Sequence, residues 1–129
     1  MFDPRTFLSI AERCLEDDAD GDDVDEALQR SAISRAYYAA FLVAREYLHV
    51  HGLLARPPVG KRWGSHERVI FSIGMMHHPG VRNVRKALFR LKKQRTSADY
   101  ELDAVVNKAR VIKAKQDSEM VIDWIDGLP

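Results

Sequence analysis

The longest uninterrupted apolar pattern in this chain lies between residues 30 and 51. Ala36 through Ala44 carry no charge, and the segment contains no glycine or proline. It is too long for an ordinary strand, and it is too short and too flanked by arginine to span a bilayer. At about 100° per residue one broad apolar face forms, made of Ile33, Ala36, Tyr37, Ala40, Phe41, Ala44, Tyr47 and Leu48. The pattern predicts a helix from about Asp25 to Val50, stopped by Gly52.

Tyr38 and Leu42 fall on the opposite side of this helix, among charged residues. A helix that is apolar beyond one stripe is either central in its domain or covered by a second surface. The second alternative makes Tyr38 and Leu42 part of a homodimer interface, because an isolated chain would leave both side chains exposed to water.

Shorter patterns predict three helices around this one. Asp3 and Pro4 open an amphipathic helix. Ser65 is expected to cap a helix that buries Val69, Ile70, Ile73 and one of Met75 and Met76, and that ends at His77-His78-Pro79-Gly80. A further helix is predicted from Val81 to about Ala98, with Val81, Val84, Leu88 and Leu91 facing inward.

A fifth helix is predicted from about Asp103 to Ile125, and its polar middle, Lys113 to Glu119, is expected to project past the core. Its expected buried residues are Val105, Val106, Ala109, Ile112, Met120, Val121 and Trp124. No strand pattern or repeat is present. The prediction is therefore a single all-α domain over residues 1–129, an antiparallel up-and-down bundle of four to five helices.

Composition and charge narrow the class of protein. The chain is 46% hydrophobic and 30% charged, which is typical of a soluble globular domain. No apolar run has membrane length and the N-terminus does not resemble a signal peptide, so a cytoplasmic location without membrane contact is expected. The lone Cys14 is read as a small core residue.

The net charge of +1 conceals two opposite halves. Residues 1–26 hold ten acidic and two basic residues, a net charge of −8, and the remainder carries +9. The acidic segment Asp17 to Asp25 has glycine too early for a calcium loop, so it is interpreted as a solvated linker. The basic remainder would present a positive surface to an anionic partner.

The helix predicted from Val81 carries the most concentrated positive charge. Arg82, Lys86, Arg90 and Lys93 line its outward side, and no acidic residue occurs between Gly80 and Ala98. This pattern is either a solvated basic face or a nucleic-acid-binding surface that matches the charge of a phosphate backbone.

Arg95 and Asp99 fall on the inward side of the same helix. An inward guanidinium must be paired or must line a cleft. The pair is therefore either an ion-pair staple between helices, which Arg30 or Arg35 would join, or part of a polar pocket floored by Arg95, Asp99 and Tyr100.

The five histidines do not predict a metal site, because their spacing lacks the pattern of a ligand cluster, and no motif for a cofactor is present. His66 is the one histidine interpreted as a candidate acid or base. It follows Ser65 directly and lies close to Arg62 in the sequence.

Three segments resemble the signatures of small HEPN-domain proteins. They are Ala-Ile-Ser-Arg-Ala-Tyr-Tyr-Ala-Ala-Phe at 32–41, Ser-His-x-x-Val-Ile at 65–70 and Arg-x-x-Ala-Asp-Tyr at 95–100. The resemblance covers roughly residues 5–125. It implies a homodimeric bundle of four or five helices, often encoded beside a small nucleotidyltransferase as a toxin–antitoxin pair. Other members act in defence as metal-independent RNA endonucleases.

The nuclease members carry an arginine, a polar residue and, four positions later, a histidine. Arg95 and Thr96 match the first two positions, and Tyr100 stands where the histidine is expected. Cleavage would then require Tyr100 or His66 to move the proton while Arg95 stabilises the charged phosphate.

Three functions follow as hypotheses. The first is a dimeric HEPN-like module that binds RNA or a nucleotide and works with a nucleotidyltransferase partner. The second is a toxin-like endoribonuclease centred on Arg95, with Asp99, Tyr100 and His66 as candidate catalytic residues. The third is a helical adaptor that only binds protein.

Overall fold

A computed structural model describes residues 1–16 and 23–129 of the chain. A short 3₁₀ helix, Pro4–Phe7, precedes five α-helices: α1 (Leu8–Glu16), α2 (Asp23–Val50), α3 (Ser65–Gly74), α4 (Val81–Tyr100) and α5 (Lys108–Asp126). No strand occurs in these ranges, and the helices pack against one another. The predicted all-α bundle is confirmed.

Helix α2 lies at the centre of the bundle and contacts each of the other four α-helices. Its predicted apolar face is buried, except that Tyr47 is half-buried. Ala32, Ala39 and Val43, outside that face, are buried as well. The small alanine side chains let neighbouring backbones approach closely, which explains how one helix is covered on so many sides.

The predicted stop of α2 is confirmed at Gly52. This residue has a φ of 66°, in the left-handed region that favours glycine. Its N–H donates to the carbonyl of His49 over 3.2 Å, and the N–H of Leu53 donates to Leu48 over 2.8 Å. These two bonds form a Schellman motif, which satisfies the last carbonyls of the helix.

Two predicted helix starts were wrong. Ser65 is the first residue of α3 and does not cap it; Gly64 occupies that position and supplies no side-chain bond. Helix α5 begins at Lys108 rather than near Asp103, because the Asn107 side chain accepts a bond from the N–H of Arg110 and caps the helix there. Residues 17–22 of the predicted linker lie outside the described residues, and Asp23 to Asp25, which were also assigned to it, belong to α2.

The predicted burial of the fifth helix was wrong in part: Val121 is buried and Val106 and Trp124 are partly buried as expected, but the other four residues are not. Val105, Ala109, Ile112 and Met120 are exposed, whereas the middle that was expected to project contributes buried residues. The inward stripe of α5 is Val111, Ala114, Asp117, Ser118, Val121, Ile122 and Ile125. Small Ala114 and Ser118 allow close packing, so the apolar residues alone do not mark the inner face.

In α3 the predicted core residues Val69, Ile70 and Ile73 are buried. Met75 is exposed and Met76 is partly buried, so Met76 is the methionine that packs on the core. Cys14 is buried, as its reading as a core residue requires.

Arg30 of α2 holds the end of α4 against the centre of the bundle. Its guanidinium donates to five backbone carbonyls at and beyond the C-terminal turn of α4: Ser97, Ala98, Glu101, Leu102 and Ala104. It also pairs with Glu26 one turn earlier on α2, over 3.0 Å. Arg30 thereby satisfies carbonyls that a helix end leaves without partners, and it fixes the position of the last turn of α4.

Within residues 1–16 and 23–129, no helix combines the length and the apolar character needed to cross a membrane.

Candidate functional site

The three segments that resemble HEPN signatures meet around the side chain of Arg95. Its guanidinium carbon lies 5.5 Å from the ring centre of Tyr37, 5.7 Å from that of Tyr38 and 5.8 Å from that of Tyr100. His66 stacks beside Tyr37 with 5.5 Å between ring centres. We call these five residues, with Asp99, the Arg95 cluster. The cluster combines one inward cation with aromatic faces that attract it.

The side chain of Arg95 is largely buried but incompletely paired. Its side chain is 11% exposed, and its one ion pair joins Nη1 to the Oδ2 of Asp99 at 3.8 Å. Among the described residues, two buried side-chain atoms lack a hydrogen-bond partner: Arg95 Nε and Ser118 Oγ. Burying an unsatisfied donor of a charged group is costly, so the unpaired Nε of Arg95 is a candidate position for an anion.

Asp99 is only loosely engaged by Arg95. Its carboxylate also accepts a bond from the Ser34 hydroxyl over 3.1 Å, and its side chain is 29% exposed. Arg30 and Arg35, which were considered as further members of an ion-pair staple, make no ion pair with Asp99 among the described residues. Arg30 binds carbonyls at the end of α4, and Arg35 covers the rings of Phe7 and Tyr38. The Arg95–Asp99 pair is therefore looser than a tight ion-pair staple requires.

Tyr37 and His66 form a hydrogen-bonded pair, in which the Tyr37 hydroxyl meets Nδ1 of His66. Burial raises the pKa of Tyr37 above its usual value against the opposing effect of Arg95, so the phenol keeps its proton. Burial, with the positive charges of Arg95 and Lys92, lowers the pKa of His66 below 6.5. His66 is therefore neutral at pH 7 and suited to accept a proton.

Tyr100 lies at the mouth of the cluster. It is 70% exposed and occupies the last turn of α4, which Arg30 anchors. The Tyr100 ring therefore faces solvent and Arg95 at once, and a ligand entering from solvent would meet it first.

The outward side of α4 is mostly free to meet an anion. Arg82, Lys86 and Lys93 are exposed. Arg90 differs, because it forms two bonds to the buried carboxylate of Asp117 on α5, of 3.1 and 2.9 Å. Arg90 thus neutralises Asp117, and this bidentate pair raises the pKa of Arg90. Sequence patterning could not distinguish Arg90 from its neighbours, since its partner lies on another helix.

The premise that one chain would leave Tyr38 and Leu42 exposed was wrong, because both are half-buried and pack on the core. Tyr38 contacts Arg95 and His66, which places it in the Arg95 cluster.

No group of three or more histidine, cysteine, aspartate or glutamate side chains is placed to hold a metal ion within the described part of the chain. Comparison of the chain with known protein families, curated proteins and solved structures finds no match.

Proposed function

We propose that this protein is a dimeric HEPN-like module that binds a phosphate group of RNA or of a nucleotide at Arg95. The observation that carries the proposal is the buried Nε of Arg95, which has no hydrogen-bond partner. A phosphate oxygen would supply the missing acceptor, and a guanidinium binds phosphate through two parallel bonds. Tyr100 at the mouth offers a face on which a base would stack.

The convergence of three separated segments supports the HEPN-like part of the proposal. Residues 32–41, 65–70 and 95–100 contribute Tyr37 and Tyr38, His66, and Arg95 with Asp99 and Tyr100 to one cluster. Such proteins work beside a small nucleotidyltransferase in toxin–antitoxin or defence systems. We propose the same setting here, with a nucleotidyltransferase as the protein partner.

Salt dependence tests the nucleic-acid part of the proposal. If Lys86 and Lys93 meet phosphates, affinity for single-stranded RNA falls steeply with salt, because binding releases counterions. Changing both to glutamate should reduce the slope of log affinity against log salt by about 1.4 or more, since each contact contributes roughly 0.7.

The matched control reverses the same amount of charge away from the outward side of α4, at Arg13 on α1 and Lys61 in the loop before α3. This double variant should keep the parental slope. Equal slopes for all three proteins, or no binding of RNA at low salt, would leave α4 with a solvated basic face only.

The dimer is tested by light scattering at tens of micromolar, where an interface of ordinary strength is full. We expect twice the mass of the chain. A parent that scatters as a monomer at that concentration contradicts the interface.

A second candidate function, metal-independent cleavage of RNA, is favoured by the Tyr37–His66 pair beside Arg95. In the tautomer in which Nδ1–H of His66 donates to the Tyr37 hydroxyl, Nε2 of His66 keeps a lone pair. It would take the proton of a ribose 2′-hydroxyl as that oxygen attacks phosphorus, while Arg95 stabilises the charge on the phosphate. The departing 5′-oxygen takes a proton from Tyr100 or water, leaving a 2′,3′-cyclic phosphate and a 5′-hydroxyl.

The pH dependence of cleavage tests this second function. Because the pKa of His66 is lowered, its basic form persists below pH 6.5. The rate should stay level at neutral pH and through mildly acidic pH, then fall about tenfold per unit once His66 becomes protonated. The assay uses a fluorogenic RNA with EDTA present. A rate that His66→Gln leaves unchanged would remove His66 from the reaction.

A further inference from the structure

A second cleft lies between α3 and α4, next to the Arg95 cluster. It has a volume of about 220 Å³, and its walls include Trp63, Glu67, Phe71, Arg85, Phe89 and Lys92. Pockets for drug-sized ligands are larger, roughly 300–1,000 Å³. The cleft therefore fits a single planar ring system better than a whole nucleotide.

The cleft is lined mainly by the flat faces of aromatic rings and of an arginine side chain. Trp63 packs against Phe71 with 4.6 Å between ring centres, and the Arg85 guanidinium lies 5.3 Å from the ring centre of Phe89. Phe71 and Phe89 are among the large apolar side chains that remain exposed. Aromatic rings and arginine planes that are left open at a surface are the elements on which single-stranded RNA bases stack.

Gly74 helps to place Arg85 over the cleft. A Cβ at position 74 would come within 2.8 Å of Cδ of Arg85, so the missing side chain makes room for the arginine stem. Arg85 and Phe89 are one turn apart on α4, so the guanidinium meets the ring on one face of that helix. The two cations of the cleft, Arg85 and Lys92, thus both lie on α4, and α3 contributes Glu67.

The cleft and the Arg95 cluster are neighbours on both helices. On α3, His66 joins the cluster and the next residue, Glu67, lines the cleft. On α4, Arg95 is six positions after Phe89, about 9 Å along the helix axis. Lys92 lies between them, lining the cleft and lowering the pKa of His66 by its charge.

We infer that this cleft is a base-stacking subsite for single-stranded RNA, which holds the base beside a phosphate bound at Arg95. The inference rests on the proposed function. Lys92 lies between the two sites, where its positive charge would contact the RNA backbone that connects them.

The negative charge of Glu67 disfavours a phosphate inside the cleft, but its carboxylate accepts hydrogen bonds from a base edge. Guanine presents two adjacent donors, N1–H and the exocyclic amine, whereas uracil presents one N–H between two carbonyls. The subsite therefore prefers guanine to uracil.

Short fluorescently labelled RNA strands test the subsite by anisotropy. One strand is abasic at every position, and two others carry a single central guanine or uracil in the same abasic backbone. The parent protein should bind the guanine strand about tenfold more tightly than the abasic strand, because one base adds a stacking contact. Trp63→Ala should remove most of that difference and leave affinity for the abasic strand within about twofold, and Trp63→Phe should restore it.

Two further variants separate the subsite from the phosphate site. Glu67→Gln changes an exposed side chain, so the fold is not at risk, and it should abolish the preference for guanine over uracil. Arg95→Ala should weaken all three strands by the same factor. Equal binding of base-bearing and abasic strands by the parent, with both still dependent on Arg95, overturns the subsite and leaves the proposed function intact. If the parent binds none of the strands, the proposed function fails and the subsite fails with it.

Discussion

Replacing Arg95 with alanine is expected to weaken binding of RNA or nucleotide strongly while leaving the free energy of unfolding within about 1 kcal/mol of the parent. Removal of a tight ion-pair staple would instead strand a buried carboxylate and cost roughly 3 kcal/mol or more. The structure favours the first outcome. Asp99 lies 3.8 Å from Arg95, keeps the Ser34 hydroxyl as a donor and is partly exposed to water.

The Arg95→Lys variant is the matched control for charge. Lysine keeps the positive charge but lacks the two parallel N–H donors of the guanidinium, so Arg95→Lys should bind more weakly than the parent protein. Tyr100→Phe, measured in the same assays, separates a hydroxyl that carries a proton from a ring that only stacks. The site would be refuted by an Arg95→Ala protein that is strongly destabilised but whose folded fraction still binds as the parent does.

Replacing Arg30 with alanine is expected to have the largest effect on stability, a loss of about 2–4 kcal/mol. The variant removes the hydrogen-bond donor of five backbone carbonyls in and beyond the last turn of α4. The bonds to Ser97, Ala98 and Ala104 are partly buried. For a domain of this size the melting temperature should fall by roughly 10 °C.

Arg5→Ala is the control for Arg30→Ala. Arg5 also pairs with carboxylates, Asp3 and Asp126, but its side chain is 42% exposed, against 16% for Arg30. Pairs at such a surface contribute little, so the loss should stay under about 1 kcal/mol. Similar melting temperatures for the two variants would contradict the role assigned to Arg30 in anchoring α4.

Periodicity was sufficient to predict the helices whose inner face is continuous. In α2 and α4, residues such as Ile33, Phe41, Leu88 and Leu91 repeat at helical spacing without polar interruption, and all four are buried. The inward position of Arg95 followed from the same spacing. These predictions depended on local sequence alone.

Periodicity was insufficient where the inner face includes polar residues. Helix α5 buries Asp117 and Ser118, and Asp117 is tolerated there because Arg90 and Lys113 pair with it. A pairing between residues 90 and 117 has no local signature. For the same reason the sequence identified Arg90 as a free cation of the basic face.

The candidate site was predicted in part. Arg95, Asp99, Tyr100 and His66 were singled out, and all four lie in the Arg95 cluster. Tyr37 was assigned to the core, where it is buried, and Tyr38 to an interface. The sequence did not indicate that both rings also face Arg95. Two consecutive aromatic residues beside an arginine-rich helix indicate that the rings could contact cations. Which cation they contact follows only from the three-dimensional packing.

The most direct test of a phosphate site at Arg95 is the NMR signal of its Nε–H, assigned by its loss in Arg95→Lys. Titration with a short single-stranded RNA should move this signal to a new position, with the same saturation as binding measured by anisotropy. The shift is expected because the Nε of Arg95, buried and without a partner in the unbound protein, gains a phosphate acceptor. RNA that binds fully while the Arg95 Nε–H signal stays in place would contradict the central claim.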